Sequence, residues 1–183
     1  MNKRSTLSPT PGLTSAIGYY VSAMDEVREQ LREAVAPLTD EQLGLRAVAG
    51  AHSIGALVLH IGESEWWWMH CVIGGHELTD EDRRQPFWDV LLRPEEFALR
   101  GYSAEFCLDV IADLRRQTRE ILASFNDDDL DRIYSHERRG RETIEVSLRW
   151  VLHHLADHEA QHKGQILMLR RLLEEPLKAG EQS

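Results

Sequence analysis

The residues best equipped for chemistry are two histidines four positions apart, His158 and His162. The chain has nine histidines, and four of them fall between His153 and His162. On a helix each residue advances about 100°. With His162 as the reference, Leu148, Val151, Leu155, Ile166, Leu169 and Leu173 all lie within about 40° of it. His158 lies about 40° away and still inside this apolar stripe, His154 sits at its margin, and His153 faces the opposite side. Burying an imidazole without a partner costs free energy, so two inward histidines call for a common explanation. At this spacing both rings project from one face about 6 Å apart along the axis, near enough to converge on one ion. The alternative is two core histidines, each bonded to a carboxylate or carbonyl.

A third ligand must come from another helix. His60, His52 and His70 are the candidates on the second long helical segment. His60 is the best placed, because the other two lie near the ends. That segment is apolar on nearly every side, so periodicity alone does not orient His60. The same C-terminal stretch spells H-E-x-x-H from His158 through Glu159 to His162, which in zinc proteases supplies two ligands and a general base. The protease continuation is missing, since Gln165 and Met168 stand where glycine and histidine belong. A di-iron bundle needs a second Glu-x-x-His on another helix, and the sequence has none. Glu159 remains the candidate catalytic carboxylate, about 60° from His162 at the edge of the stripe.

Four long helical patterns must position these residues. They run over about 14–36, 53–73, from 103 to about 125, and 144–175, with Pro37 and Pro176 as stops. Thr14 is the expected cap of the first helix. The phrases at 39–43 and 126–130 each look like a cap opening a short turn, and Thr39 with Gln42 matches a capping box. Residues 74–101 read as a long irregular connection with a short helix near Asp80, and connections of that length are often functional. A hairpin over 133–144 is weakly signalled and is not expected. The expected fold is all-α, a four-helix bundle over residues 13–178, with a flexible lead-in at 1–12 and a flexible tail at 179–183.

Composition narrows the partners. A formal charge of -10 without a basic stripe is poorly suited to neutralising phosphates, so no nucleic acid is expected. No apolar run is long enough for a membrane helix. Two cysteines without a pairing motif, Cys71 and Cys107, fit buried thiols in a reducing cytoplasm. Trp66, Trp67 and Trp68 cover most of a helix circumference and cannot all enter one core. Packing under the long connection or in a homodimer interface is the expected use, with one ring free to line the metal pocket.

Two segments, residues 53–62 followed by the three tryptophans and residues 154–166, resemble the DinB-like family of metal-binding four-helix bundles. The resemblance extends over nearly the whole chain in helix order. It implies one ligand on the second helix and two on the fourth, which map to His60, His158 and His162. It also implies a dimer and, for several members, transfer of a low-molecular-weight thiol. Three imidazoles leave coordination positions open, as in a catalytic site, and zinc or nickel is the expected ion among those that accept histidine ligands. The resulting expectation is metal-dependent transfer of a thiol onto a small electrophilic substrate, with Glu159 or a water moving the proton. A non-catalytic metal-binding stress protein and a metal-dependent hydrolase are the alternatives.

Overall fold

The computed structural model describes residues 6–138 and 142–180. Four helices form the bundle: α1 (Ser15–Val35), α3 (Ile54–Trp66), α5 (Ala104–Leu122) and α6 (Leu148–Gly180). Two short helices, α2 (Asp40–Gly44) and α4 (Pro94–Arg100), lie in the connections. α1 packs against α6 and α5, and α3 packs against α5 and α6. The order around the bundle is therefore α1, α6, α3, α5, with α1 diagonal to α3 and α5 diagonal to α6. Diagonal neighbours in sequence need long crossings, which explains the α2 segment and the excursion before α6. The same order brings α3 beside α6, the two helices that carry the candidate ligands.

Local chemistry explains the element ends. Ser53 and Ser103 accept backbone N–H bonds from Ala56 and Phe106, opening α3 and α5. Both expected short turns are present: Thr39–Gln42 and Asn126–Asp129 each form a reciprocal capping box. Thr14 does not cap α1 through its side chain. Asp127 does so from 111 residues away, accepting from the Ala16 and Ile17 amides while the Thr14 hydroxyl donates to it. These bonds hold the Asp127 carboxyl below its usual range. The lead-in is also tied down in part. The Thr10 amide donates to the Gly18 carbonyl, and the Ser22 hydroxyl donates to the Ser8 carbonyl. Residues 1–5 and 181–183 lie outside the described residues.

Several sequence expectations are corrected. The excursion before α6 is an antiparallel hairpin, β1 (Ile133–Arg138) and β2 (Glu142–Ser147), in register from Ile133 opposite Ser147 to Arg138 opposite Glu142. α6 consequently starts at Leu148 rather than 144, because Ile144 belongs to β2. It also runs past Pro176 to Gly180; a proline forfeits one i→i−4 hydrogen bond without always ending a helix. The connection after α3 contains α4, which begins on Pro94 at its first turn and ends on Gly101 at φ 58°. The helix expected near Asp80 is a single 3₁₀ turn, Asp82–Arg84. Among the described residues no helix is long and apolar enough to cross a membrane.

The core consists of two apolar clusters stacked along the bundle. One gathers Leu31, Leu59, Ile111 and Ile166, the other Ile17, Met24, Leu122 and Leu152. Between them every bundle helix contributes charge: Arg28 with Asp25 from α1, Glu65 from α3, Arg115 from α5 and Glu159 from α6.

Candidate metal centre

His60 faces α6 because the opposite side of α3 is committed to α5. Gly62 lies about 200° from His60 on the helical wheel, and a Cβ there would come within 2.8 Å of Leu114 and 3.0 Å of Ile111. The absent side chain lets α5 approach, and His60 is left on the α6 side. There the ligating atoms of His60, His158 and His162 all lie within 4.8 Å of one another, the one group of described residues with metal-holding geometry. The ring centroids of His60 lie 5.2 Å from His158 and 5.1 Å from His162. His52 and His70 stand apart from this group, and His70 stacks on Trp66 at 5.0 Å.

The donor set fits a divalent transition ion. The Nε2 atoms of His158 and His162 face each other at 3.1 Å. Two nitrogens on a tetrahedral zinc, each about 2.0–2.1 Å from it, would lie about 3.3 Å apart. Burial first, then the His162, His60 and His154 imidazoles, push His158 down to about 3. Burial also lowers His162, against a bond to Gln165 that raises it. Both shifts favour the neutral ring, the form that ligates.

Two further residues orient the ligands. His60 Nδ1 lies 3.1 Å from Glu63 Oε2, and His162 Nδ1 lies 2.8 Å from Gln165 Oε1. An oxygen acceptor at Nδ1 fixes that nitrogen as the N–H and turns the Nε2 lone pair toward the shared point. Glu63 is itself held, since its Oε1 accepts from the Asp89 amide at 2.8 Å. Asp89 takes φ 53°, the one non-glycine residue with positive φ among those described, an uncommon conformation that the connection adopts beside the site. The sequence does carry a signal for Glu63 and Gln165. Each stands three residues after its histidine, on the same helix face.

Glu159 is placed elsewhere. Arg28 bonds both of its oxygens and Arg115 bonds Oε2 at 2.9 Å, with the side chain 1% exposed. Cys71 also stays outside the cluster, and both cysteines are free thiols. Burial pushes Cys71 up to about 11 and Cys107 up to about 12.

A cavity of about 800 Å³ opens beside His60, walled by Glu63, Trp67, Trp88, Asp89 and Leu92. The helix after α3 widens into a π-helical segment, Trp67–Ile73, a distortion frequent at functional sites. The three tryptophans part company there. Trp66 packs under the connection against Phe87 and Trp88, Trp67 lines the cavity, and Trp68 meets Trp150 and His154.

The fold agrees with that of similar solved structures. The chain is 21% identical to a DinB-like protein from Bacillus cereus, at TM-score 0.62 over 86% of this chain and 93% of that one. YfiT from Bacillus subtilis, described as a probable metal-dependent hydrolase with an unusual four-helix bundle topology, gives 19% identity and TM-score 0.62, covering 95% and 94%. The colibactin self-resistance protein ClbS, solved in complex with double-stranded DNA, gives 16% and 0.53, covering 84% and 94%. These likenesses show the DinB-like four-helix fold. None of the curated proteins searched matches the chain. The mycothiol-S-transferase family model matches residues 20–175, and the chain belongs to that family.

Proposed function

We propose that this protein is a metal-dependent transferase that joins a low-molecular-weight thiol to small electrophiles, with His60, His158 and His162 as ligands. The observation that carries the reading is three imidazoles meeting beside an open cavity. A structural ion would sit closed off by protein groups, whereas His60 of this cluster lines about 800 Å³ of open space. When bound, a divalent ion such as zinc or nickel lowers the pKa of a thiol or water held on it.

The chain's own residues do the rest. Glu63 and Gln165 hold His60 and His162 in register. Trp67, Trp88 and Leu92 wall the cavity with apolar surface that limits water. Glu63, Asp89 and Glu137 also line it, giving a proton leaving the thiol a carboxylate within the same space. As the sulfur–carbon bond forms, the electrophile's leaving group departs with its electron pair. Glu159 is a brace in this reading and not the base of a protease, because guanidinium groups occupy both its oxygens. A net charge of -10 argues against a nucleic-acid partner. The unpaired cysteines suit the cytoplasm, and the exposed Leu167 and Met168 suit burial in a homodimer.

Elemental analysis with a conjugation assay tests this. Wild type should carry one ion per chain and conjugate mycothiol or another cellular thiol to a generic electrophile. His158→Ala and His162→Ala should lose both properties, and His153→Ala should lose neither. Chelation should lower the melting temperature and re-addition restore it. Normal metal content in His162→Ala would sink the site.

A further inference from the structure

We infer that the hollow between the hairpin and the π-helical segment is a subsite for a planar aromatic electrophile bearing a hydrogen-bond acceptor. The word electrophile rests on the thiol-transfer reading above; the binding preference does not. The hollow has a volume of about 800 Å³, within the range of small-molecule sites. Its walls are aromatic: Trp67, Trp68 and Trp150, with His136 and His154 between them. Trp68 meets Trp150 at 5.3 Å and Trp67 at 4.8 Å, both tilted steeply, so faces and edges are both presented. Flat rings gain from such surroundings through stacked and edge-to-face contacts.

The second observation is an unmet hydrogen-bonding group. His136 sits with its ring 5.0 Å from Trp67 and 5.3 Å from Trp68, nearly perpendicular to both. Both of its ring nitrogens are without a partner among the described residues and are closed off from solvent, so the ring must turn to bring an N–H to the hollow. Buried polar atoms are nearly always paired, and one left over at a cavity wall marks where a ligand acceptor or donor fits. A nitro, carbonyl or ring-nitrogen group on the ligand would accept from the imidazole N–H.

The hollow lies next to the metal centre. Trp67 lines both this space and the cavity beside His60. The ring of His154, stacked on Trp150 at 4.8 Å, lies 5.8 Å from that of His158. The two spaces differ in character. The His60 cavity carries Glu63, Asp89, Arg83 and Glu137 and suits a polar thiol. The hairpin hollow has Glu145 as its one acid among the described lining residues.

The test is calorimetry on metal-loaded wild-type protein with three unreactive probes. Acetophenone has ring and acceptor, cyclohexyl methyl ketone the acceptor alone, and toluene the ring alone. Acetophenone should bind about tenfold more tightly than either of the others, the scale of one good aromatic contact or hydrogen bond. Trp150→Leu should erase the advantage over the saturated ketone, and His136→Phe the advantage over toluene, with metal content unchanged. If His136→Phe fails to fold, the Trp150→Leu arm still decides. Equal affinity for the aromatic and saturated ketones overturns the inference, as does tighter binding of trimethylanilinium. A Trp150→Leu protein that turns from dimer to monomer with unaltered probe affinity overturns it in favour of an interface. Conjugation of saturated and aromatic electrophiles without preference would defeat this inference and leave thiol transfer standing. Selective aromatic binding without any conjugation would do the reverse.

Discussion

Glu159 stands beside His158 in sequence, and the two belong to opposite kinds of place. Glu159 is 1% exposed among guanidinium groups from α1 and α5, whereas the histidine trio is only partly covered, with the His60 side chain 26% exposed. The buried residues of α6, Leu148, Val151, Leu152, Leu155, Glu159 and Ile166, centre about 40° from His162 on the Glu159 side. The core therefore runs through the charged residue, and the histidines lie on its margin. Fully paired charge can occupy the deepest position of a bundle, while a metal that works on ligands needs an edge that substrate can reach. The ionic layer fixes how the helices sit, and the margin uses that fixed spacing.

Breaking the ionic layer should have the largest effect. Arg115 bonds Glu65, Glu159 and Asp25 at once. Arg115→Met leaves two carboxylates buried with only Arg28 between them. We expect a loss of about 3–5 kcal/mol in chemical denaturation, the usual cost of stranding a buried charge. Metal bound per folded molecule should stay unchanged. A loss under 1 kcal/mol would mean the network braces nothing.

Acid should dissect the same layer without mutation. Glu65 stands at about 2: burial alone would raise it, but Arg115 and Arg28 outweigh burial and lower it. The folded state therefore favours the carboxylate more than the unfolded chain does. This contribution is complete above about pH 4.5 and is lost as pH falls toward about 2, amounting to about 3 kcal/mol. Denaturation midpoints measured across that interval should fall, and Glu65→Gln should flatten the slope. An equally steep fall in Glu65→Gln would assign the acid sensitivity to other groups.

How much of this was legible in the sequence depended on where each partner lay. His158 and His162 announced themselves because the apolar residues around them repeat on the same helix. The centre of that stripe was misplaced by about 40°, since the partners that let Glu159 be buried are 131 and 44 residues away. The Asp127 cap on α1 is a contact of the same kind, 111 residues apart. The hairpin was faint because its two strands pair only with each other and leave Ile133 57% exposed, so no clean alternation arises. α4 carried its marks, Pro94 and Gly101, but seven residues are too few for periodicity to register.

The finest contrast lies within the metal centre, between ligands and the groups that orient them. Glu63 and Gln165 touch no ion in our reading; each fixes one imidazole by taking its Nδ1–H. Partners of this kind are worth about 10–100-fold in metal affinity, far less than a ligand, whose loss abolishes stoichiometric binding. Glu63 is anchored by the Asp89 amide, whereas Gln165 is solvent-exposed on α6 and its side chain can be replaced by water. Glu63→Gln and Gln165→Leu should therefore both keep the fold and bind one ion, with the Glu63 variant weakened toward the upper end of that range and the Gln165 variant toward the lower. Competition against a chelator of known affinity measures both. Two variants as tight as wild type would mean the imidazoles are oriented by packing alone. Complete loss of metal in Glu63→Gln would make Glu63 a ligand and give the centre a carboxylate.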